Sequence, residues 1–298
     1  MAATEYREEP CRSALNRVVG MPFKWSLNPY MGCAHRCTFC YVRGFEHRAD
    51  RPSDDRYGRS IRVKINVPEV LAQELRRPSW QRETIAVGAA TDPYQPVEGR
   101  YRLTRQCLMA MSAARSPFSI VTRGPMIVRD IDVLQAAARR VEVDVSLSVP
   151  TLDRDIWRRT EPGTAPPRQR LRALRMLVDA GIDAGLAVAP VLPGLTDDPA
   201  GLAEVVRAAR DAGATGVWCN VLYLKPGARE HFLENLARDW PALVPRYEQL
   251  YRGAYPEREV AERIKARVAA LRERLEIADR RARPLEPPPA PAQLGLAI

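Results

Sequence analysis

The chain has 298 residues, 46% hydrophobic and 28% charged, a balance that supports a sizeable core and excludes a wholly disordered chain. No apolar run approaches the roughly 18 residues of a membrane span, and the polar, acidic N-terminus lacks a signal-peptide pattern. The expected compartment is therefore the cytoplasm, where thiols stay reduced and clustered cysteines bind metal more often than they pair. The net charge of +10 comes almost entirely from arginine and favours polyanionic partners such as DNA or RNA, although Arg- and Ala-rich usage also follows from genomic base composition.

Residues 1–22 read as an irregular lead-in, with Cys11 standing alone. Residues 24–31 suit a first strand, which runs straight into a loop holding Cys33, Cys37 and Cys40, half of the six cysteines. Gly32 lets the backbone turn there. Residues 43–59 read as loop with one helical turn. The chain then alternates. Strands are expected at 61–65, 84–89, 118–122, 141–149, 184–191 and 216–224. Helices are expected at 68–77, 100–114, 130–140, 168–180 and 199–212. This pattern demands right-handed crossovers and a parallel sheet with helices outside. A fully covered parallel strand would be apolar on both faces. In 141–149, however, Glu142, Asp144, Ser146 and Ser148 alternate with Val141, Val143, Val145, Leu147 and Val149. A partly open (βα)6 barrel of the TIM type with a ligand-filled lumen accounts for the polar face; an edge strand with one wet face is the alternative.

Polar signals recur at the strand ends: Thr91-Asp92 after one strand, Thr122-Arg123 after the next, then Ser148 and then Thr196-Asp197. These are the C-terminal ends of parallel strands, where such sheets place their active sites, and the cysteine loop sits at the same end of the first strand. Beyond residue 225 the pattern becomes helical, ending in a charged amphipathic helix at 257–277 with Val260, Ile264, Val268, Leu271 and Leu275 on one face. Residues 279–292 are Arg- and Pro-rich, a stiff linker. The expected organisation is a lead-in (1–22), a core barrel (23–225), a C-terminal helical extension (226–278) and a Pro-rich disordered tail (279–298).

The three clustered cysteines are spaced C-x3-C-x2-C. Structural zinc usually takes four protein ligands. His35 is poorly placed to be the fourth, and Cys107 and Cys219 read as buried, inert thiols in a helix and a strand. Three cysteines on a four-iron cluster, with the fourth iron open, fit better. A zinc-stabilised nucleic-acid-binding module without catalysis is the alternative.

The cysteine motif at the end of a first strand in a six-fold βα pattern resembles the radical SAM superfamily. Within it, NPYxGCxHxCxFCY, ATDPYQPVE, TRGPMIVRD, the SLSVPT to EPGTAPP stretch and APVLPGLTD resemble the spore photoproduct lyase-like branch. The resemblance covers roughly residues 22–225. It implies a [4Fe-4S] cluster on Cys33, Cys37 and Cys40, with S-adenosylmethionine (SAM) on the open iron. One electron, from a flavodoxin- or ferredoxin-type donor, then releases a 5′-deoxyadenosyl radical that abstracts hydrogen. It places Thr91 and Asp92 near the SAM amino group, Arg123 at its carboxylate, Ser148 near the cofactor and the Phe39 backbone near the adenine. Tyr41 matches a tyrosine implicated in radical relay. DNA is the leading substrate under this resemblance. The lyase, however, carries a hydrogen-donor cysteine on the loop where this chain has Ala89-Ala90, so spore photoproduct repair itself is not expected.

The C-terminal Gln293-Leu294-Gly295-Leu296-Ala297-Ile298 is similar to the bacterial sliding-clamp-binding peptide. A tethered extended segment of that kind drops its apolar side chains into a preformed pocket, which would place the protein at DNA.

Overall fold

The computed structural model describes residues 4–279; the clamp-like peptide lies outside the described residues. Within them, ten strands form two sheets. In chain order they are β1 (Glu5–Glu9), β2 (Leu15–Arg17), β3 (Trp25–Leu27), β4 (Tyr30–Met31), β5 (Ser60–Lys64), β6 (Ile85–Val87), β7 (Phe118–Thr122), β8 (Val143–Ser148), β9 (Ala184–Val191) and β10 (Val217–Val221). The larger sheet runs β10-β9-β8-β7-β6-β3-β2. Every pairing from β3 to β10 is parallel, and β2 adds antiparallel to β3. Six parallel strands joined by helical crossovers make the partial (βα)6 barrel of the TIM type. No helix among the described residues is long and apolar enough to cross a membrane.

Three local expectations change. The stretch 61–65 does not enter the barrel. As β5 it sits between β1 and β4 in a separate three-stranded sheet. The lead-in is therefore not irregular, since it supplies β1 to that sheet and β2 to the barrel edge. The expected first strand, 24–31, is also divided in two. Pro29 has no N–H to continue a ladder. Its carbonyl instead accepts from the Lys64 amide at 3.2 Å, which moves the chain onto β5. Asn28 Oδ1 accepts from the Ala90 amide at 2.7 Å and pins the end of β3 to the loop after β6.

The two faces of the barrel sheet differ in kind. Outward, Leu27, Ile85, Val87, Phe118, Ile120, Val143, Val145, Leu147, Leu186, Val188 and Val217 are buried in one apolar cluster with the surrounding helices. Inward, the register aligns Ser26 with Ala86, Ala86 with Ser119, Val121 with Ser146, Ser146 with Gly185, and Ser148 with Ala187. Barrel interiors are usually filled by layers of Val, Ile and Leu. Here the lining is small and polar, and Val121 remains 38% exposed. β8 lies between β7 and β9, so its polar face belongs to the lumen and the edge-strand alternative falls away. Trp218 is the large exception, and its indole N–H donates to Ser146 Oγ at 3.1 Å.

Beyond β10 come the helices Ala228–Asp239, Val244–Leu250 and Arg258–Arg274. The last buries Val260, Ile264, Val268 and Leu271 against β10 and the helix Pro199–Asp211. It covers the open edge of the sheet, which would otherwise offer unpaired backbone groups to another chain.

A buried ionic network braces the strand that feeds the cysteine loop. Glu98 accepts from the Tyr30 hydroxyl, from the Thr104 amide at 2.9 Å and from Arg129 Nη2 at 2.7 Å. Truncating Glu98 leaves the Tyr30 hydroxyl and the Thr104 amide without their acceptor and breaks the ion pair to Arg129, which keeps only Asp130 as a carboxylate partner. Glu98→Ala is expected to cost about 3–5 kcal/mol, as for other broken buried pairs, measured by urea unfolding.

Candidate active site

Cys33, Cys37 and Cys40 lie in successive turns between β4 and the helix Arg43–Arg48, closed by backbone bonds from Arg36 N to Cys33 O and from Cys40 N to Cys37 O. Gly32 and Arg36 both take left-handed conformations, at φ 87° and 48°. A loop of that shape has no ladder of its own, so other segments must hold it. Gln95 is the main clamp. It is fully buried, donates to Gly32 O at 3.0 Å and accepts from Ala34 N at 2.9 Å. The Thr91 hydroxyl donates to the same Gly32 carbonyl at 2.7 Å and accepts from Gln95 at 2.8 Å. From the end of the helix Arg154–Thr160 and the turn after it, Gly163 N donates to His35 O at 3.0 Å, and Thr38 N donates back to Thr160 O at 2.9 Å. A Cβ on Gly163 would stand 2.3 Å from Ala34 O, so only glycine permits this approach.

Asp92 lies behind the loop, and its oxygens are committed to the protein. Oδ1 accepts from the Thr122 hydroxyl at 2.5 Å and the Tyr94 amide at 2.9 Å, and Oδ2 accepts from the Arg123 amide at 2.7 Å. His35 Nδ1 stands 3.2 Å from Oδ2, close but without hydrogen-bond alignment. Burial opposes the charged form. The His35 imidazole, the Thr122 hydroxyl and the Arg123 amide outweigh it and hold the carboxyl at about 2.

Arg123 and Ser148 meet at one acceptor: Arg123 Nη2 and Ser148 Oγ both donate to Ala189 O, at 2.9 and 2.8 Å. The guanidinium lies over the Phe39 ring at 5.4 Å, and Nε is 3.3 Å from Glu161. Burial pulls its pKa down, but Cys37, Glu161 and Asp92 raise it above the ordinary value, so the group stays charged. Glu161 also pairs with Arg170 at 2.6 Å. Arg170 is itself wholly buried and donates to Ser148 O at 2.9 Å, tying the helix Pro167–Asp179 to the end of β8. Tyr41 donates its hydroxyl to Ala89 O, across the gap between the cysteine loop and the loop after β6.

The three thiols form no disulfide. Burial raises Cys33, with Asp92 and the other two thiols adding to it, and burial pushes Cys37 up to about 12 against the pull of Arg123. Among the described residues, no three His, Cys, Asp or Glu side chains converge on a point where a single ion would sit. Cys107 is buried in the helix Leu103–Ala113 and takes no part.

Residues 27–206 match the radical SAM superfamily. The chain belongs to this superfamily. It is an enzyme, in a superfamily that uses a [4Fe-4S] cluster and SAM. An uncharacterised protein of Mycobacterium tuberculosis is 41% identical over 270 residues, covering 89% of this chain and 79% of the relative. An uncharacterised protein of Methanocaldococcus jannaschii is 25% identical, over 58% of this chain and 62% of its own. Spore photoproduct lyase complexed with dinucleoside spore photoproduct superposes with a TM-score of 0.70 at 16% identity, covering 91% of this chain and 79% of the lyase. The chain thus shares the fold of the lyase.

The structure adds groups that sequence reading did not single out, Gln95, Gly163, Glu161 and Arg170, and sets His35, weighed there only as a metal ligand, beside Asp92. Gln95 and the Glu161–Gly163 segment stood inside quoted motifs, but their partners lie too far along the chain for spacing to reveal. Because Asp92 is held below its ordinary 3.8, its stabilisation is present above about pH 4 and lost as pH falls through about 2. Asp92→Asn is expected to lower stability by about 2 kcal/mol near neutrality, a gap that closes in acid. Thermal unfolding of both proteins across that pH range checks it.

Proposed function

We propose that Cys33, Cys37 and Cys40 ligate the [4Fe-4S] cluster, that SAM completes it, and that the enzyme acts on nucleic acid, with DNA as substrate. The supporting observation is the joint placement of three free thiols and the charged Arg123 guanidinium at the mouth of a lumen lined by small residues. When bound, cluster and SAM supply a 5′-deoxyadenosyl radical for hydrogen abstraction, the electron coming from a flavodoxin- or ferredoxin-type donor.

The chain's own part is to orient and to exclude solvent. Arg123 would receive the SAM carboxylate, its plane set by Phe39 beneath and Glu161 beside it. The Phe39 backbone would lie near the adenine. Ser148 and Arg123 share Ala189 O, so the hydroxyl oxygen keeps lone pairs for the cofactor. Thr91 and Asp92 act on the amino-group side by fixing the loop backbone. Tyr41, tied to Ala89 O, would relay a hydrogen atom between cofactor and substrate. No thiol occupies Ala89-Ala90, which sets the reaction apart from that of spore photoproduct lyase.

DNA is favoured by the surface as well as by the charge. The three aromatic residues more than a third exposed among the described residues are Tyr41, Phe45 and Tyr255. Tyr41 and Phe45 meet edge-on at 5.8 Å, with Arg48 over Phe45 at 5.1 Å. Tyr255 leans on Tyr223 at 4.5 Å, with Lys225 over Tyr223 at 5.4 Å. A Cβ on Gly44 would touch Lys225 Cβ at 3.4 Å, so the two groups adjoin. Rings interleaved with cations suit unpaired bases and their phosphates. The tail peptide Gln293–Ile298 would then tether the enzyme to the sliding clamp.

Anaerobic reconstitution is expected to give a brown protein that cleaves SAM to 5′-deoxyadenosine on reduction. Cys33→Ala, Cys37→Ala and Cys40→Ala should each stay folded and colourless. Zinc without iron, or unfolded cysteine variants, would support the zinc module instead. For the substrate, fluorescence anisotropy should show salt-dependent binding of single-stranded DNA, weakened about ten-fold by Phe45→Ala or Tyr255→Ala, within the usual worth of base stacking. Tighter binding of RNA moves the assignment to RNA, and no salt-dependent binding of either removes nucleic acid.

A further inference from the structure

Tyr57 is 3% exposed and lies in the turn before β5, outside every group given a role above. Its hydroxyl stands 3.8 Å from Cys40 Sγ, the partner it has among the described residues. Its ring lies under the guanidinium of Arg43, 4.7 Å from the centroid. Arg43 is 1% exposed, three residues beyond Cys40 at the start of its helix. Its Nη1 donates to Ser53 O at 2.7 Å and Asp54 O at 2.6 Å, and Tyr57 N donates to Asp54 O at 3.0 Å. One arginine therefore holds both the face of the ring and the turn from which the ring projects. The next residue, Gly58, has φ 77°, and a Cβ there would fall 2.2 Å from Cys33 O. Tyr57 and Gly58 are thus seated directly on two of the three cysteines.

We propose that Tyr57, held by Arg43, sets the reduction potential of the cluster by donating a hydrogen bond to the sulfur of Cys40. The proposal rests on the assignment of Cys40 as a cluster ligand. A ligating sulfur is a thiolate and has no proton to give, so in the loaded protein the Tyr57 hydroxyl is the donor and Cys40 the acceptor. Reduction adds one negative charge to the cluster and its sulfurs. A donor aimed at one of those sulfurs is therefore worth more in the reduced form than in the oxidised form. Hydrogen bonds to the sulfurs and nearby charge are among the levers that set such potentials. The Arg43 cation acts in the same direction. It polarises the phenol into a stronger donor and places a positive charge within reach of the cluster. Burial keeps water from competing for the sulfur. The sign follows: the pair makes the cluster easier to reduce.

The test is an EPR-monitored redox titration of anaerobically reconstituted wild type and Tyr57→Phe, which keeps the ring and its stacking on Arg43 and removes the hydroxyl. The expected result is equal iron and sulfide content, an unchanged circular dichroism spectrum and a midpoint shifted to more negative potential. Arg43→Lys, which keeps the charge and the hydroxyl but loses the planar stack, should shift the midpoint the same way by less, and serves if Tyr57→Phe does not fold. A merely structural role for Tyr57 would alter stability or iron content without moving the midpoint. An unmoved midpoint in whichever variant folds overturns the proposal while leaving the cluster assignment intact. A wild type that takes up no iron overturns the assignment and the proposal together.

Discussion

Placing an ionised carboxylate out of water costs several kcal/mol unless donors surround it. Asp92 meets that demand with donors from its own loop and from the end of β7, and with His35 of the cysteine loop alongside. The charge can be satisfied only when these three segments are in register, so it acts as a condition on the whole mouth. Gln95 applies the same logic with neutral groups, spending both ends of its amide on the loop backbone. The site is rigid because buried polar groups have only one arrangement that satisfies them.

Much of this was legible in the sequence, and for a specific reason. Alternating strands and helices leave a periodic trace, and the even positions of β8 revealed a polar lumen because a single covered strand reports on the face it shows to each side. The cysteine spacing carried the chemistry. Sheet membership was not legible. β5 carries Ile61 and Val63 much as β8 carries Val143 and Val145, and nothing local states that its neighbours are β1 and β4. The clamps were not legible either: Gln95 acts on residues about sixty positions earlier, and Glu161, paired with Arg170, meets Arg123 from another crossover. Contacts of that separation leave no period.

The small lining of the barrel separates this fold from a filled one. Side chains that would stabilise the interior by packing are replaced by Ser, Ala and Gly, and stability is drawn from the outer face and from buried ionic pairs. The emptied interior gains room for a cofactor and for whatever part of a substrate reaches it, at the expense of core that the helices must make up.

Gly163 has a consequence for the order of events in the cell. The cysteine loop is made early in synthesis, yet its brace arrives some 120 residues later, when Thr160 meets Thr38 and Gly163 closes on His35. A ribosome adding about 5–20 residues each second needs several seconds to cover that distance. During that interval the cysteine loop lacks the backbone bonds that Thr160 and Gly163 later make to it. The full frame of the cysteine loop therefore exists only once residue 163 has been made.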